Sequence, residues 1–391
     1  MVSKLAKLLL LSVAILPAIH AEELQLPDPL LSSRSERVTT AASWQTMRRP
    51  EILELFRKNI YGRAPVGRPA DLKFEVFDSN ADAMDGKATR TQVKITWRGP
   101  GGEGSLRLVL FVPNGAKKPV PCFLLICNRP AAANIDPTRE VKSPFWPAEE
   151  IVARGYAAAA FFNGDVVPDK HDGFKSGVFA IYDTASRPAD AWGAIAAWAW
   201  GASRALDYLE TNPSIDSKRV AVVGHSRGGK TALWAGAEDE RFAMVVSNDS
   251  GCTGAALARG KTGERIRDIN RVFPHWFNEN YKAFADREDK LPLDQHMLAA
   301  LIAPRLLYIA SASEDSWADP KSEFLTAVHA SPVYRLFGNR GLSDSIMPKA
   351  DAPMHDGHIG YHLRTGKHNL TEYDWAAFMD FADKHLGKPI P

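Results

Sequence analysis

A chain of 391 residues with 45% hydrophobic and 24% charged residues carries enough apolar mass for a packed core, which excludes a disordered polymer. The formal net charge is only +2 and no block of Lys or Arg interleaved with aromatics occurs, which argues against a nucleic-acid backbone as partner. The length suits one large α/β domain with decorations.

At the N-terminus, Lys4 and Lys7 precede an apolar run over 8–17 and the small residues Ala18 and Ala21, the three-part pattern of a secretory signal peptide. The run is shorter than the roughly 20 apolar residues a bilayer-spanning helix needs. We therefore expect a leader over 1–21 and an exported, membrane-free, monomeric catalytic domain over 22–391. Cys122, Cys127 and Cys252 are odd in number, and the first two lie five apart in one strand-like run, so their side chains point to opposite faces. Burial as small hydrophobes is expected for all three.

Residues 22–42, rich in Pro and Ser, read as an extended arm. A helix is expected over 49–59, with Pro50 in its first turn and Gly62 just beyond its end. Alternating patterns at 72–77, 88–97 and 105–111, separated by turns such as Asp85-Gly86, read as antiparallel strands. The apolar runs 120–127 and 156–162 read as strands buried on both faces. A helix over 189–208, strands at 220–223, 243–247 and 305–310, and a C-terminal helix over 373–385 continue a βαβ alternation. That pattern specifies an α/β fold with three αβα layers around a mostly parallel, doubly wound sheet. Segments 128–154 and 254–292 read as insertions near the site.

The strand Val220-Ala221-Val222-Val223 runs directly into Gly224-His225-Ser226-Arg227-Gly228-Gly229-Lys230 and then a helix, the nucleophile elbow of the α/β-hydrolase fold. The glycines allow a tight, strained turn, and Ser226 is left at a helix N-terminus where the Arg227 N–H can meet an oxyanion. A serine hydroxyl needs a base, and His368, in a loop just ahead of the final helix, is preferred over His355, His358 and His362. The acid orienting the imidazole has two candidates: Asp249, after the next strand, and Asp315, after the one that follows it. No His/Cys/Asp cluster shows metal-ligand spacing, and we expect neither metal nor cofactor.

These motifs resemble the glucuronoyl esterases, carbohydrate esterase family 15, particularly bacterial members. The resemblance rests on the elbow, on Arg48-Arg49-Pro50-Glu51-Ile52 with Tyr61-Gly62-Arg63-Ala64-Pro65, and on Ser247-Asn248-Asp249-Ser250-Gly251-Cys252. Further matches are Phe273-Pro274-His275-Trp276-Phe277, Glu314-Asp315-Ser316-Trp317-Ala318-Asp319-Pro320, and Arg364 to His368 with Asp374-Trp375. It implies hydrolysis of the ester joining lignin alcohols to 4-O-methyl-glucuronic acid groups of glucuronoxylan. By that resemblance Ser226 is the nucleophile, His368 the base and Arg227 an oxyanion-stabilising side chain. Lys230, Glu264 and Trp317 would bind sugar hydroxyls, with His275 and Trp276 beside them. The family commonly has a Glu where this chain has Asp249, which favours Asp249 over Asp315. Two other readings remain open: another serine hydrolase, such as an acetyl xylan esterase or a peptidase, and a non-catalytic uronate-binding protein with a defective acid.

Overall fold

The structure is a computed structural model that describes residues 24–389; the expected leader over 1–21 lies outside the described residues. Its strands are β1 (Lys73–Asp82), β2 (Ala88–Gly99), β3 (Gly102–Pro113), β4 (Val120–Cys127), β5 (Ala157–Phe162), β6 (Ile215–His225), β7 (Met244–Asn248), β8 (Leu306–Ala312) and β9 (Ile359–Arg364). They form a nine-stranded sheet in the order β1-β2-β3-β5-β4-β6-β7-β8-β9. The first three strands pair antiparallel and β3 meets β5 antiparallel. From β5 to β9 every neighbour is parallel. Hence the strand order reverses around β4, the position in open α/β sheets where ligand sites form at the carboxyl ends of strands.

Local chemistry accounts for most of these elements. Strand β4 is buried along its whole length and reads as a continuous apolar run. Its one proline, Pro121, coincides with a register shift between Val120 and Cys122, where a missing N–H costs no ladder bond. Cys122 packs in the core on one face of the sheet and Cys127 in the core on the other, and all three cysteines are free and buried.

The helix with Pro50 in its first turn spans Arg49–Phe56, continues through a wider turn to Tyr61, and is stopped by Gly62 at φ 86°. Tyr61 then stacks on Trp234 of the elbow helix, with ring centroids 4.3 Å apart. The helix expected from 189 begins only at Ala194. The preceding residues are taken by backbone bonds to the N-terminal segment: Arg63 N–H donates to Asp190 O at 2.8 Å and Gly193 N–H to Tyr61 O at 3.0 Å.

Across the parallel half the register aligns His225 with Asn248, Asn248 with Ala310, and Ala310 with His362. Strands β6 and β7 therefore end at one level, β8 and β9 run two residues further, and the residues leaving them share one rim. Among the described residues no helix is long and apolar enough to cross a membrane.

Candidate active site

Ser226 stands between the end of β6 and the helix Arg227–Glu238 with φ 57° and ψ −124°, a strained conformation held by its N–H donating to Asn248 O at 2.9 Å. The flanking glycine is required sterically. A Cβ on Gly224 would lie 1.9 Å from the carbonyl oxygen of Gly228, so any side chain there would force the turn apart.

His368 arrives from the loop after β9, its ring centroid 4.5 Å from that of His225, the residue immediately before Ser226. Arg364 shapes that loop. Its Nη2 donates to the carbonyls of Lys367 (2.8 Å) and Asn369 (3.1 Å), which bracket His368, and its Nε donates to Asp374 at 3.1 Å. Asp374 also accepts from the N–H and hydroxyl of Thr371, so the cap of the C-terminal helix and the loop share one carboxylate. The other histidines take structural places: His362 lies buried between Asp374 (2.8 Å) and the Tyr308 hydroxyl (3.0 Å), His355 bonds the same hydroxyl, and His358 lies beside His385.

The acid favoured by the resemblance, Asp249, is not the one bonded to the ring. Asp315 Oδ2 accepts from His368 Nδ1 at 2.6 Å. Asp249 Oδ2 instead accepts the backbone N–H of Asn369 at 3.1 Å, next to His368, and its Oδ1 has no hydrogen-bond partner. Burial, followed by repulsion from Glu323, Asp374 and Asp315, pushes the Asp249 carboxyl well above the usual carboxylate range. Burial thus disfavours the charged form of Asp249, and its Oδ2, 3.7 Å from Arg364 Nη2, is turned to the loop backbone and not to the imidazole. Asp249 leaves β7 at φ 44° and bonds the loop backbone at Asn369, whereas Asp315 sits three residues past β8 and bonds the ring itself. Oxygen and nitrogen atoms of Asp249, Asp315 and His368 all lie within 4.8 Å of one another. The 2.6 Å bond already joins two of them, so the set reads as an acid–base relay rather than an open ligand cluster.

Under this relay Glu323 is fully buried, accepting from Ser311 Oγ at 2.6 Å and Gly251 N–H at 2.8 Å. Burial raises its pKa to about 7. An unfolded glutamate titrates near 4.3, so between roughly pH 4.3 and 7 the folded chain holds a proton that the unfolded chain has lost. Stability is thus fully supported below that window and declines as pH rises through it. Glu323→Gln is expected to lose less melting temperature than the wild type between about pH 5 and pH 8 in parallel thermal melts. Equal losses in the two proteins would contradict the assignment.

Arg227 begins the elbow helix, and its guanidinium lies over the rings of Trp276 (5.0 Å) and Phe273 (5.5 Å), which are themselves stacked at 3.8 Å. Its Nη1 donates to Asp169, which the sequence reading did not single out. Asp169 Oδ1 also accepts from Trp276 Nε1 at 2.8 Å and pairs with His275 Nε2 at 2.9 Å. Burial alone would raise this carboxyl, but the His275 bond, the Arg227 charge and the Trp276 bond outweigh it and hold its pKa at about 2. The available signal was its position: Asp169 follows β5, at the carboxyl end of a parallel strand, where side chains face the rim.

Lys230 is not a solvated helix lysine. It is buried, donating to the carbonyls of Ser250 and Cys252 at 2.6 Å each, 3.6 Å from Glu264 Oε2 and 5.8 Å from the Trp276 ring. Glu264 N–H donates to Trp317 O at 2.9 Å, and Trp317 itself is 56% exposed. Lys230, Glu264, Trp276 and Trp317 therefore share one wall beside the elbow. It offers a cation, a carboxylate and an uncovered indole.

A family model for fungal glucuronyl esterases matches residues 104–338. A carbohydrate esterase from an unknown prokaryotic organism is 42% identical over 392 residues, spanning 92% of this chain and 89% of that protein. The chain belongs to the glucuronoyl esterase family. The solved glucuronoyl esterase from Solibacter usitatus matches with a TM-score of 0.85 and 41% identity over 92% of this chain and 98% of that one. A 4-O-methyl-glucuronoyl methylesterase of Podospora anserina is 29% identical over 75% of this chain and 56% of that protein. As a glucuronoyl esterase family member with the α/β-hydrolase sheet, the chain is a serine-type carboxylic ester hydrolase.

Proposed function

We propose that the protein is an exported, monomeric glucuronoyl esterase that cleaves esters of (4-O-methyl-)glucuronic acid, as in lignin–glucuronoxylan cross-links, through an acyl-enzyme at Ser226. The observation that carries the reading is a strained Ser226 elbow whose preceding residue, His225, has its ring 4.5 Å from that of His368 in the 2.6 Å His368–Asp315 pair, beside a wall of Lys230, Glu264 and Trp317.

His368 Nδ1 is engaged by Asp315, which leaves Nε2 to take the Ser226 proton as Oγ attacks the ester carbonyl carbon. The resulting oxyanion is met by the Arg227 N–H, free at the first turn of its helix, and by the Arg227 guanidinium. Collapse breaks the bond to the alcohol, which leaves with the proton from His368. Water, deprotonated by the same imidazole, then splits the acyl-enzyme, frees the uronic acid and restores Ser226. Lys230 and Glu264 supply donor and acceptor for vicinal hydroxyls of the acyl part, and Trp317 covers its apolar face.

This assignment puts three polar or aromatic recognition groups on the acyl side, more than an acetyl group could use. Purified protein is expected to hydrolyse the benzyl ester of glucuronic acid with higher kcat/KM than acetylated xylan; the reverse order would favour an acetyl xylan esterase. A non-catalytic uronate-binding protein loses its motive, since Asp315 supplies a bonded acid.

Asp169 acts here as a positioning residue, fixing the Arg227 guanidinium where the oxyanion develops. Asp169→Asn is expected to lower kcat by about 10–100-fold with little change in KM, the signature of an interaction made mainly in the transition state. A rise in KM at unchanged kcat would assign Asp169 to ground-state binding instead.

A further inference from the structure

Two buried lysines stand behind the proposed sugar wall, and they differ in what their ammonium groups do. Lys230 spends two donors on backbone carbonyls and keeps its third toward Glu264. Lys261 has none to spare. Its Nζ donates to the carbonyls of Thr262 (2.9 Å), Ala318 (3.0 Å) and Trp317 (3.3 Å), which accounts for all three hydrogens of an ammonium. Only 9% exposed, it has no ion-pair partner within 4.0 Å among the described residues. A charge buried at that cost without touching the rim has to be explained by the backbone it gathers.

That backbone belongs to two segments far apart in sequence. One, 261–264, carries Glu264; the other, 315–319, carries Trp317 and begins at Asp315. Further bonds close the seam: Glu264 N–H to Trp317 O at 2.9 Å, and Thr262 N–H to Asp319 Oδ2 at 2.8 Å. Gly263, at φ +67°, lets the two segments approach so nearly that a Cβ there would lie 2.4 Å from Trp317 O. The Trp317 indole is largely exposed, so its place depends on this backbone seam more than on side-chain packing.

We infer that Lys261 is a positioning residue for substrate recognition, clamping the segment of Glu264 to the segment of Trp317 so that both meet the sugar in register. The inference rests on the uronate-ester reading and extends it to a residue that never contacts the substrate. Asp315 is held within its own segment and by the base, through its N–H to Ala312 O at 3.1 Å, the Ala318 N–H to its Oδ1 at 3.2 Å and its bond to His368; none of these crosses the seam, so the relay outlasts a loosened wall.

The clamp predicts a split between substrates. Lys261→Met is expected to raise KM for the benzyl ester of glucuronic acid about tenfold with kcat changed less than about threefold, while hydrolysis of p-nitrophenyl acetate, which lacks a sugar, stays within about twofold. Lys261→Gln, which keeps two donors and carries the test if the methionine variant does not fold, is expected to fall between. Equal losses on both esters, or an unchanged KM for the uronate ester, would overturn the inference. Wild-type protein inactive on the benzyl ester would instead overturn the uronate-ester reading, independently of Lys261.

Discussion

Ser226→Ala is expected to reduce kcat on the benzyl ester of glucuronic acid by at least about 10⁴-fold, leaving binding nearly intact. The alanine removes the atom that forms the acyl bond and nothing else in the site replaces it. The chain neighbours of Ser226 are Gly224, His225, Arg227 and Gly228, none of them an acyl-accepting nucleophile, and His225 is buried and paired with Asn248 Oδ1 at 2.6 Å. Burial, with the nearby His368, pushes His225 well below the ordinary histidine range, which makes it a weak base and a poor substitute for His368. Single-turnover kinetics of the variant check this; a residual rate within about a hundredfold of wild type would require another nucleophile.

The second large effect separates the two carboxylates. Asp315→Asn is expected to lower kcat by about 10³–10⁴-fold, because an amide at 2.6 Å from Nδ1 neither selects the productive tautomer nor balances the imidazolium. Asp249→Asn is expected to cost less than about tenfold in kcat, since its side chain receives the Asn369 N–H and an amide oxygen can do the same. Both variants should be measured for kcat and for thermal melting at one pH. Comparable kcat losses would mean that the two acids share the role, and a larger loss for Asp249 would restore the assignment suggested by the resemblance.

The difficulty of choosing between these acids from sequence has a simple geometric origin. Both follow adjacent parallel strands, and both precede His368 in the chain. Their separation depends on the positive φ that turns Asp249 to the loop backbone, which no residue pattern discloses. By contrast the elbow was legible because an apolar strand, two obligatory glycines and a helix start coincide within eleven residues, Val220 to Lys230. The buried strands β4 and β5 were legible as unbroken apolar runs.

Strand β9 was not, because its buried positions include Gly360 and His362, the latter satisfied only by Asp374 and Tyr308 from other elements. Asp169 and Lys261 escaped for a related reason. Each is defined by partners more than 50 residues away, Arg227 for the first and the 317–318 backbone for the second. Lys230 was placed on the correct face by its spacing, yet the carbonyls of Ser250 and Cys252 that bury it come from the loop after β7.

The most direct test of the account is active-site titration with a fluorophosphonate followed by peptide mapping. Stoichiometric labelling of Ser226, slowed at least about a hundredfold in His368→Ala, is the predicted result. Labelling at another residue, or an equal rate of Ser226 labelling with and without the imidazole, would contradict a nucleophile activated by His368.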